Sequence, residues 1–233
     1  LQHGTTQHGR QYLDPAKADV PLAYFHPTTP AAGVLRNTAF PLADIGMIGL
    51  GTGALAAYAG AGQTVTIYEL DPANRAVAED AFSYIDRARR QGAEIEYVFG
   101  DGRIALRRAP PAALDVLILD AFNSGSIPVH LLTVEAFAEY LEAVRPGGVV
   151  LLHVSNKMLD LLPVVYSNAA ALGVRVCEKS NANRLHPDAE FTHWAALTRS
   201  AEAFKLLLNE ERWWQRERPA DGWPRPWTDR YSN

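Results

Sequence analysis

Cysteine is nearly absent. Cys177 stands alone in 233 residues, which excludes an intrachain disulfide and a cysteine metal cluster. It lies in "VRVCEK", an alternating strand pattern, where a lone thiol reads as packed rather than nucleophilic. No sign of charge dominates either. With 22 Lys and Arg against 26 Asp and Glu the formal net charge is -4, so no nucleic-acid partner is expected. No apolar run approaches the ~20 residues of a membrane helix, and no signal peptide is visible. The sequence opens on Leu1 rather than Met, from which a fragment or a processed form is expected, with anything upstream, membrane spans included, out of view. Neither repeats nor low-complexity tracts occur. Of seven histidines no two have the i, i+4 helical spacing of a zinc motif, and no metal is expected. There is no G-x-S-x-G elbow.

What is present is apolar substance: 48% of the residues are hydrophobic, enough for one sizeable core. Residues 1–40 are rich in Gly, Thr, His and Pro and read as a loop and β-hairpin segment. From Asp44 the pattern alternates. "DIGMIGL", "QTVTIYEL", "EIEYVFG", "LDVLILD", "VVLLHVS", "VRVCEK" and "FTHWAALT" read as strands. "ALAAYAG", "PANRAVAEDAFSYIDRA", "RIALRRA", "VEAFAEYLEAV", "LDLLPVVYSNAAALG" and "AEAFKLLLNEE" read as helices between and after them. The expected fold is therefore α/β, a doubly wound, mostly parallel seven-stranded sheet over 41–212. Residues 213–233 hold four of five tryptophans (Trp213, Trp214, Trp223 and Trp227) and read as a tail packing on that domain. A dimer contact or a membrane-interface anchor is the alternative.

Ligands of such sheets bind beyond the carboxyl ends of the strands, so chemistry is sought there. After the first strand "GLGTG" supplies Gly49, Gly51 and Gly53 around Thr52, suited to a tight turn and a close ligand approach. The second strand ends at Glu69–Leu70, about 20 residues on, where an acid can hold two ribose hydroxyls. The third ends at Asp101–Gly102, where a carboxylate can accept from an exocyclic adenine amine. The fourth ends at Asp120. The plainer reading of each is a turn or a helix cap; together, on one sheet edge, they point to an adenosine-type ligand. A nicotinamide dehydrogenase shares the glycine and acid logic, but not the acids at Asp101 and Asp120.

At these residues the sequence resembles a known family. "IGMIGLGTG", "VTIYELDP", "FGDGR" and "LDVLILDAF" look like the class I fold that binds S-adenosylmethionine. "LILDAFNSGSIPVHLLTVEAFAEYLEAVRPGGVVLLHVSN" resembles the spermidine synthase family of aminopropyltransferases, most of all a spermidine-synthase-like branch often fused to membrane-spanning segments. "HGTTQHGRQ", "PLAYFHPTTP" and "WTDRYSN" extend the likeness over nearly the whole chain. The resemblance implies that Glu69 binds ribose, Asp101 binds adenine, and Gln7 or Gln11 contacts the nucleoside. It implies that Asp120 takes part in deprotonating an attacking amine and that Tyr24 and His26 help hold it. The expected co-substrate is S-adenosylmethionine or its decarboxylated form. A cytoplasmic domain is expected, free-standing or joined to a membrane part upstream; a homo-oligomer stays open.

Three departures bear on the co-substrate and the acceptor. Thr52 stands where the family's glycine loop carries an Asp that holds the cofactor's amine, Asn123 replaces a second Asp after Asp120 that helps grip the polyamine, and Pro27 follows His26 where a Glu is usual. The acceptor side thus lacks carboxylates that would offset a buried ammonium. Four readings follow: aminopropyl-type transfer to an amine with release of methylthioadenosine, acceptor-independent cleavage of the lyase type to the same product, methyl transfer, and a non-catalytic nucleoside-binding sensor. His153 and Asn156, at the tip of the fifth strand, either line the acceptor pocket or fix a loop. His130 reads as structural, and Asp229 as able to return to the pocket.

Overall fold

The computed structural model describes residues 1–3, 6–7, 9–121, 127–156, 159–181 and 186–231. Seven strands form one sheet: β1 (Asp44–Ile48), β2 (Thr64–Glu69), β3 (Glu94–Phe99), β4 (Leu114–Leu119), β5 (Val144–His153), β6 (Arg175–Ser180) and β7 (His193–Thr198). Their order is β3-β2-β1-β4-β5-β7-β6. All neighbours run parallel except β7, which is antiparallel to both β5 and β6. The expected doubly wound sheet of seven strands is present. Its order reverses between β1 and β4, the switch point at which such sheets open a crevice.

The apolar runs explain the layers. Alternate residues of a strand face opposite sides, and β4 is buried throughout. Val116 and Ile118 enter one core with Ile45, Met47, Val149 and Leu151; Leu117 and Leu119 enter a second with Ile48, Val150 and Leu152. Helices α1 (Pro30–Arg36), α2 (Ala73–Ala81), α3 (Tyr84–Arg90), α4 (Gly102–Leu106), α5 (Val134–Ala143), α6 (Leu162–Ala171) and α7 (Ala201–Asn209) complete the order. The first core takes residues of α1 to α3, α7 and Trp213; the second takes α4 to α6 and Trp227. A sheet covered on both faces is what the continuous apolar runs require.

Three local readings differ. The 1–40 segment holds, besides the ladder Gln2–His3 with Thr6–Gln7, the helix α1, begun by Pro30 in its first turn. "ALAAYAG" forms a 3-10 helix rather than an α-helix, over Ala54–Tyr58. The single helix expected over "PANRAVAEDAFSYIDRA" is two, α2 and α3, parted at extended Phe82 and at Ser83. Gln11 explains the break: its Oε1 accepts from Ser83 N at 2.7 Å and Ser83 Oγ at 3.3 Å.

Candidate functional site

The site is assembled at the carboxyl edge of the sheet. Gly49 leaves β1 at φ 99°, and a Cβ there would fall 2.5 Å from the carbonyl oxygen of Asp120. Only glycine lets the first and fourth strand tips touch at the switch point. Thr52 of the same loop is fully buried, its Oγ1 without a hydrogen-bond partner among the described residues. Gly9 lies over it at φ 139°, where a Cβ would come 2.6 Å from Thr52 Oγ1. The N-terminal turn thus closes on the glycine loop. A cavity of about 10 Å³, room for about one water, lies among Phe25, Met47, Gly49, Leu50, Gly53 and Asp120.

Glu69 closes β2 and is buried. Its Oε2 accepts from Leu50 N at 2.9 Å, and Oε1 from Asp71 N at 2.9 Å and Asn74 Nδ2 at 3.0 Å. A carboxylate offers about four acceptor positions, so it clamps the glycine loop and retains capacity for a hydroxyl. Asp101 caps α4: Oδ1 accepts from Ile104 N at 2.9 Å and Oδ2 lies 3.1 Å from His130 Nε2. Burial works to raise its carboxyl, but these hydrogen bonds win and hold it below the ordinary carboxylate value. Leu70, Phe99 and Ile104, beside these acids in sequence, and Val129, next to His130, are exposed and give the edge an apolar rim.

Asp120 is placed by register. Leu119 pairs with Leu152 in the β4–β5 ladder, so the next residues, Asp120 and His153, stand side by side. Asp120 Oδ1 lies 2.6 Å from His153 Nδ1. A carboxylate can only accept, so Nδ1–H donates and a neutral ring has Nε2 free to accept. Thr192 Oγ1 at 2.8 Å and Ser155 Oγ at 3.0 Å reach Nε2. His153 also pairs with Trp194 across the β5–β7 ladder, and the rings stack at 4.5 Å and 6°. The imidazole therefore has its plane fixed by Trp194 and both nitrogens engaged.

Beside this pair Tyr24 lies 5.9 Å, centroid to centroid, from His153. Its hydroxyl is pushed up to about 12, by burial first and then by a hydrogen bond to the Glu190 carboxylate. Glu190 also faces Arg10 at 3.7 Å. A carboxylate thus sits beside Tyr24, although the one sought after His26 is replaced by Pro27. His26 itself is buried, bonded through Nδ1 to Thr28 Oγ1 at 2.9 Å and stacked on His186 at 4.4 Å. Burial, and then His186, hold its imidazole below the ordinary value. Asn156 accepts from Leu159 N at 3.0 Å. Asn123 lies outside the described residues, as do the side chain of Gln7 and all of His8.

The structure therefore gathers Gly49, Thr52, Gly53, Glu69 and Asp120 round the switch point, with Gly51 in the same loop and Asp101–Gly102 one strand further out. It draws Tyr24 and His153 together and turns Gln11 toward Ser83. Sequence reasoning missed Ser155, Thr192, Trp194 and Glu190. The first three had a signal: aligning the ends of "LDVLILD", "VVLLHVS" and "FTHWAALT" brings them to one edge. Glu190 had none, since its place depends on the Ala23–Ala189 bridge.

No family model matches the chain, and no curated protein does. Solved structures do match in fold. A spermidine synthase in complex with the transition-state analogue AdoDATO superposes with a TM-score of 0.57 at 16% identity, over 78% of this chain and 62% of that one. The Thermotoga maritima spermidine synthase gives 0.55 at 16% identity, over 78% and 61%. An O-methyltransferase from Bacillus cereus in complex with SAH gives 0.52 at 17% identity, over 72% and 80%. The chain spans about six tenths of the length of those two synthases, and it shares with all three the mostly parallel seven-stranded α/β fold.

Proposed function

We propose that this chain is a transferase acting on a sulfonium nucleoside, S-adenosylmethionine or its decarboxylated form, that passes an aminopropyl-type group to an amine and releases methylthioadenosine. One observation carries the reading: Asp120 borders the glycine loop at the switch point, with one carboxylate oxygen held by His153. Among the described residues nothing bonds the other oxygen. Glu69 and Asp101 on neighbouring tips suit ribose hydroxyls and an adenine amine, and the exposed apolar rim suits the faces of a base.

In the proposed reaction the acceptor nitrogen attacks the carbon bound to the sulfonium sulfur. The N–C bond forms as the C–S bond breaks, and its electron pair leaves on a neutral thioether. The proton shed by the nitrogen passes to Asp120. Little electrophilic activation is needed, so the main contribution is in-line positioning, worth up to ~7–11 kcal/mol, with proton acceptance by Asp120 adding about 10²–10⁴-fold. Glu190, bonded to Tyr24, supplies negative charge on the acceptor side in place of the carboxylates absent at Pro27 and Asn123. A second reading, cleavage of the sulfonium compound with no acceptor, is favoured by those same absences.

The test is to incubate the protein with each sulfonium compound, with and without a panel of amines, and to identify every nucleoside product. Methylthioadenosine only in the presence of an amine is the expected result. Methylthioadenosine regardless of amine favours cleavage, S-adenosylhomocysteine indicates methyl transfer, and no product with binding retained leaves the sensor.

A further inference from the structure

A buried arginine links the far end of the chain to the base-facing acid. Arg103, two residues after Asp101, is 5% exposed at its side chain. A guanidinium so placed is costly unless its donors are met, and they are. Nε and Nη2 donate to Glu139 at 2.8 and 2.9 Å, and Nη1 and Nη2 to Asp229 at 2.7 and 2.8 Å. Nη1 also reaches the carbonyl of His130 at 2.8 Å and Thr133 Oγ1 at 3.4 Å. His130 in turn meets Asp101 through its ring at 3.1 Å. The chain of contacts therefore runs Asp229, Arg103, His130, Asp101.

Asp229 is itself secured. Thr133 Oγ1 donates to it at 2.7 Å, and its own N–H donates to Glu135 at 3.1 Å. Two residues earlier, buried Trp227 donates to Asn168 Oδ1 at 3.1 Å and accepts from Val134 N at 2.8 Å. This stretch is bonded to α4 through Arg103 and to the start of α5 through Thr133, Val134 and Glu135.

We propose that Trp227–Tyr231 is a strap whose anchor, Asp229, acts through Arg103 and His130 to aim the Asp101 carboxylate, and so sets selectivity for a purine bearing an exocyclic amino group. Asp229, Arg103 and His130 are positioning residues in this account, which rests on the nucleoside reading above. An aimed carboxylate accepts from a 6-amino group and repels a 6-oxo oxygen. A carboxylate free to turn away does neither.

The test is calorimetric binding of methylthioadenosine and of methylthioinosine, its 6-oxo counterpart. The full chain is compared with Asp229→Asn, Asp229→Glu and His130→Ala. His130 is at the surface, so its truncation spares the core. The unaltered chain is expected to prefer the amino nucleoside by roughly tenfold or more, the worth of one well-placed hydrogen bond. Asp229→Asn and His130→Ala are expected to lower that ratio about three- to tenfold, with Asp229→Glu restoring part of it. A merely structural role weakens both nucleosides alike and leaves the ratio unmoved. No preference in the unaltered chain, or an unmoved ratio in either folded variant, overturns the strap, whereas no binding of either nucleoside by the unaltered chain overturns the nucleoside reading itself.

Discussion

Two aspartates bracket strand β4, Asp115 near its start and Asp120 just past its end, and they live differently. Asp115, at the amino edge, is wholly consumed by the fold. Its Oδ2 accepts from Ala43 N and Asp44 N at 2.8 and 2.9 Å, and its Oδ1 takes Arg145 at 2.6 Å, the arginine also pairing with Asp44 at 2.7 Å. Asp120, at the carboxyl edge, has a histidine instead of an arginine, and lines a small cavity with residues of the glycine loop. The residue type is the same, and so is the strand. The difference comes from the edge: parallel strands turn into helices at their carboxyl ends and leave a crevice only there. An acid whose two oxygens are taken by backbone N–H groups and an arginine holds structure, whereas one held through a single oxygen by a histidine keeps acceptor capacity for a ligand.

The sharpest way to break this comparison is to neutralise each acid. Asp120→Asn is expected to reduce turnover by about 10²–10⁴-fold while methylthioadenosine affinity changes little. Asp115→Asn is expected to leave turnover per folded molecule intact and to lower stability by about 1–3 kcal/mol, the cost of donors left unmatched. Paired denaturation curves and product assays read both. Equal loss of turnover in the two variants would falsify the division between edges.

A second, smaller effect isolates the histidine. His153→Gln keeps a donor near Asp120 but loses the ring that Trp194 fixes. Turnover is expected to fall about 10–100-fold, the worth of one hydrogen bond to a charged group. KM for the nucleoside should change little, since the proposed reaction puts His153, beside Tyr24, at the acceptor. If KM rises and kcat holds, His153 serves binding and the carboxylate needs no aiming.

Much of this was legible beforehand, for identifiable reasons. "LDVLILD" and "VVLLHVS" are apolar on consecutive residues, which only a doubly covered strand tolerates, so the sheet and its carboxyl edge follow from patterning. Glu69 and Asp120 follow because a tip acid is the last residue of such a run. The partner of Asp120 did not follow, because it depends on strand register. Leu119 opposite Leu152 is a fact of packing between residues 33 apart, and a slip of one residue would part the pair. The α2–α3 break was hidden for a similar reason: the helical period continues through Phe82–Ser83, and a glutamine from the N-terminal segment overrides it. Arg103 illustrates a third kind of blindness. A charged residue on a short helix reads as solvated, and only the return of Asp229 from the other end of the chain explains its burial.

Asp229 also sharpens the comparison, since it is a structural acid lying at the functional edge. Its hydrogen bonds from Arg103, foremost, and from Thr133 outweigh burial and hold its carboxyl at about 2, against an ordinary 3.8. A depressed carboxylate contributes its stability fully above the unfolded value and loses it as the pH falls through the folded one. The contribution of Asp229 is therefore expected to be complete above about pH 5, to shrink below 3.8, and to be gone near 2. The side chain is 40% exposed, so solvent screens the pair and the effect is the smallest of the three. It is read as the stability difference between the unaltered chain and Asp229→Asn, measured by denaturant titration at pH 6, 4 and 3 with tryptophan fluorescence as the signal. Trp227, two residues away and buried, reports the strap. A difference that narrows from pH 6 to pH 3 places Asp229 with Asp115 among acids that hold the fold. A difference constant with pH means that Arg103 binds the carboxyl and the amide equally well, and that Asp229 anchors the strap by shape rather than by charge.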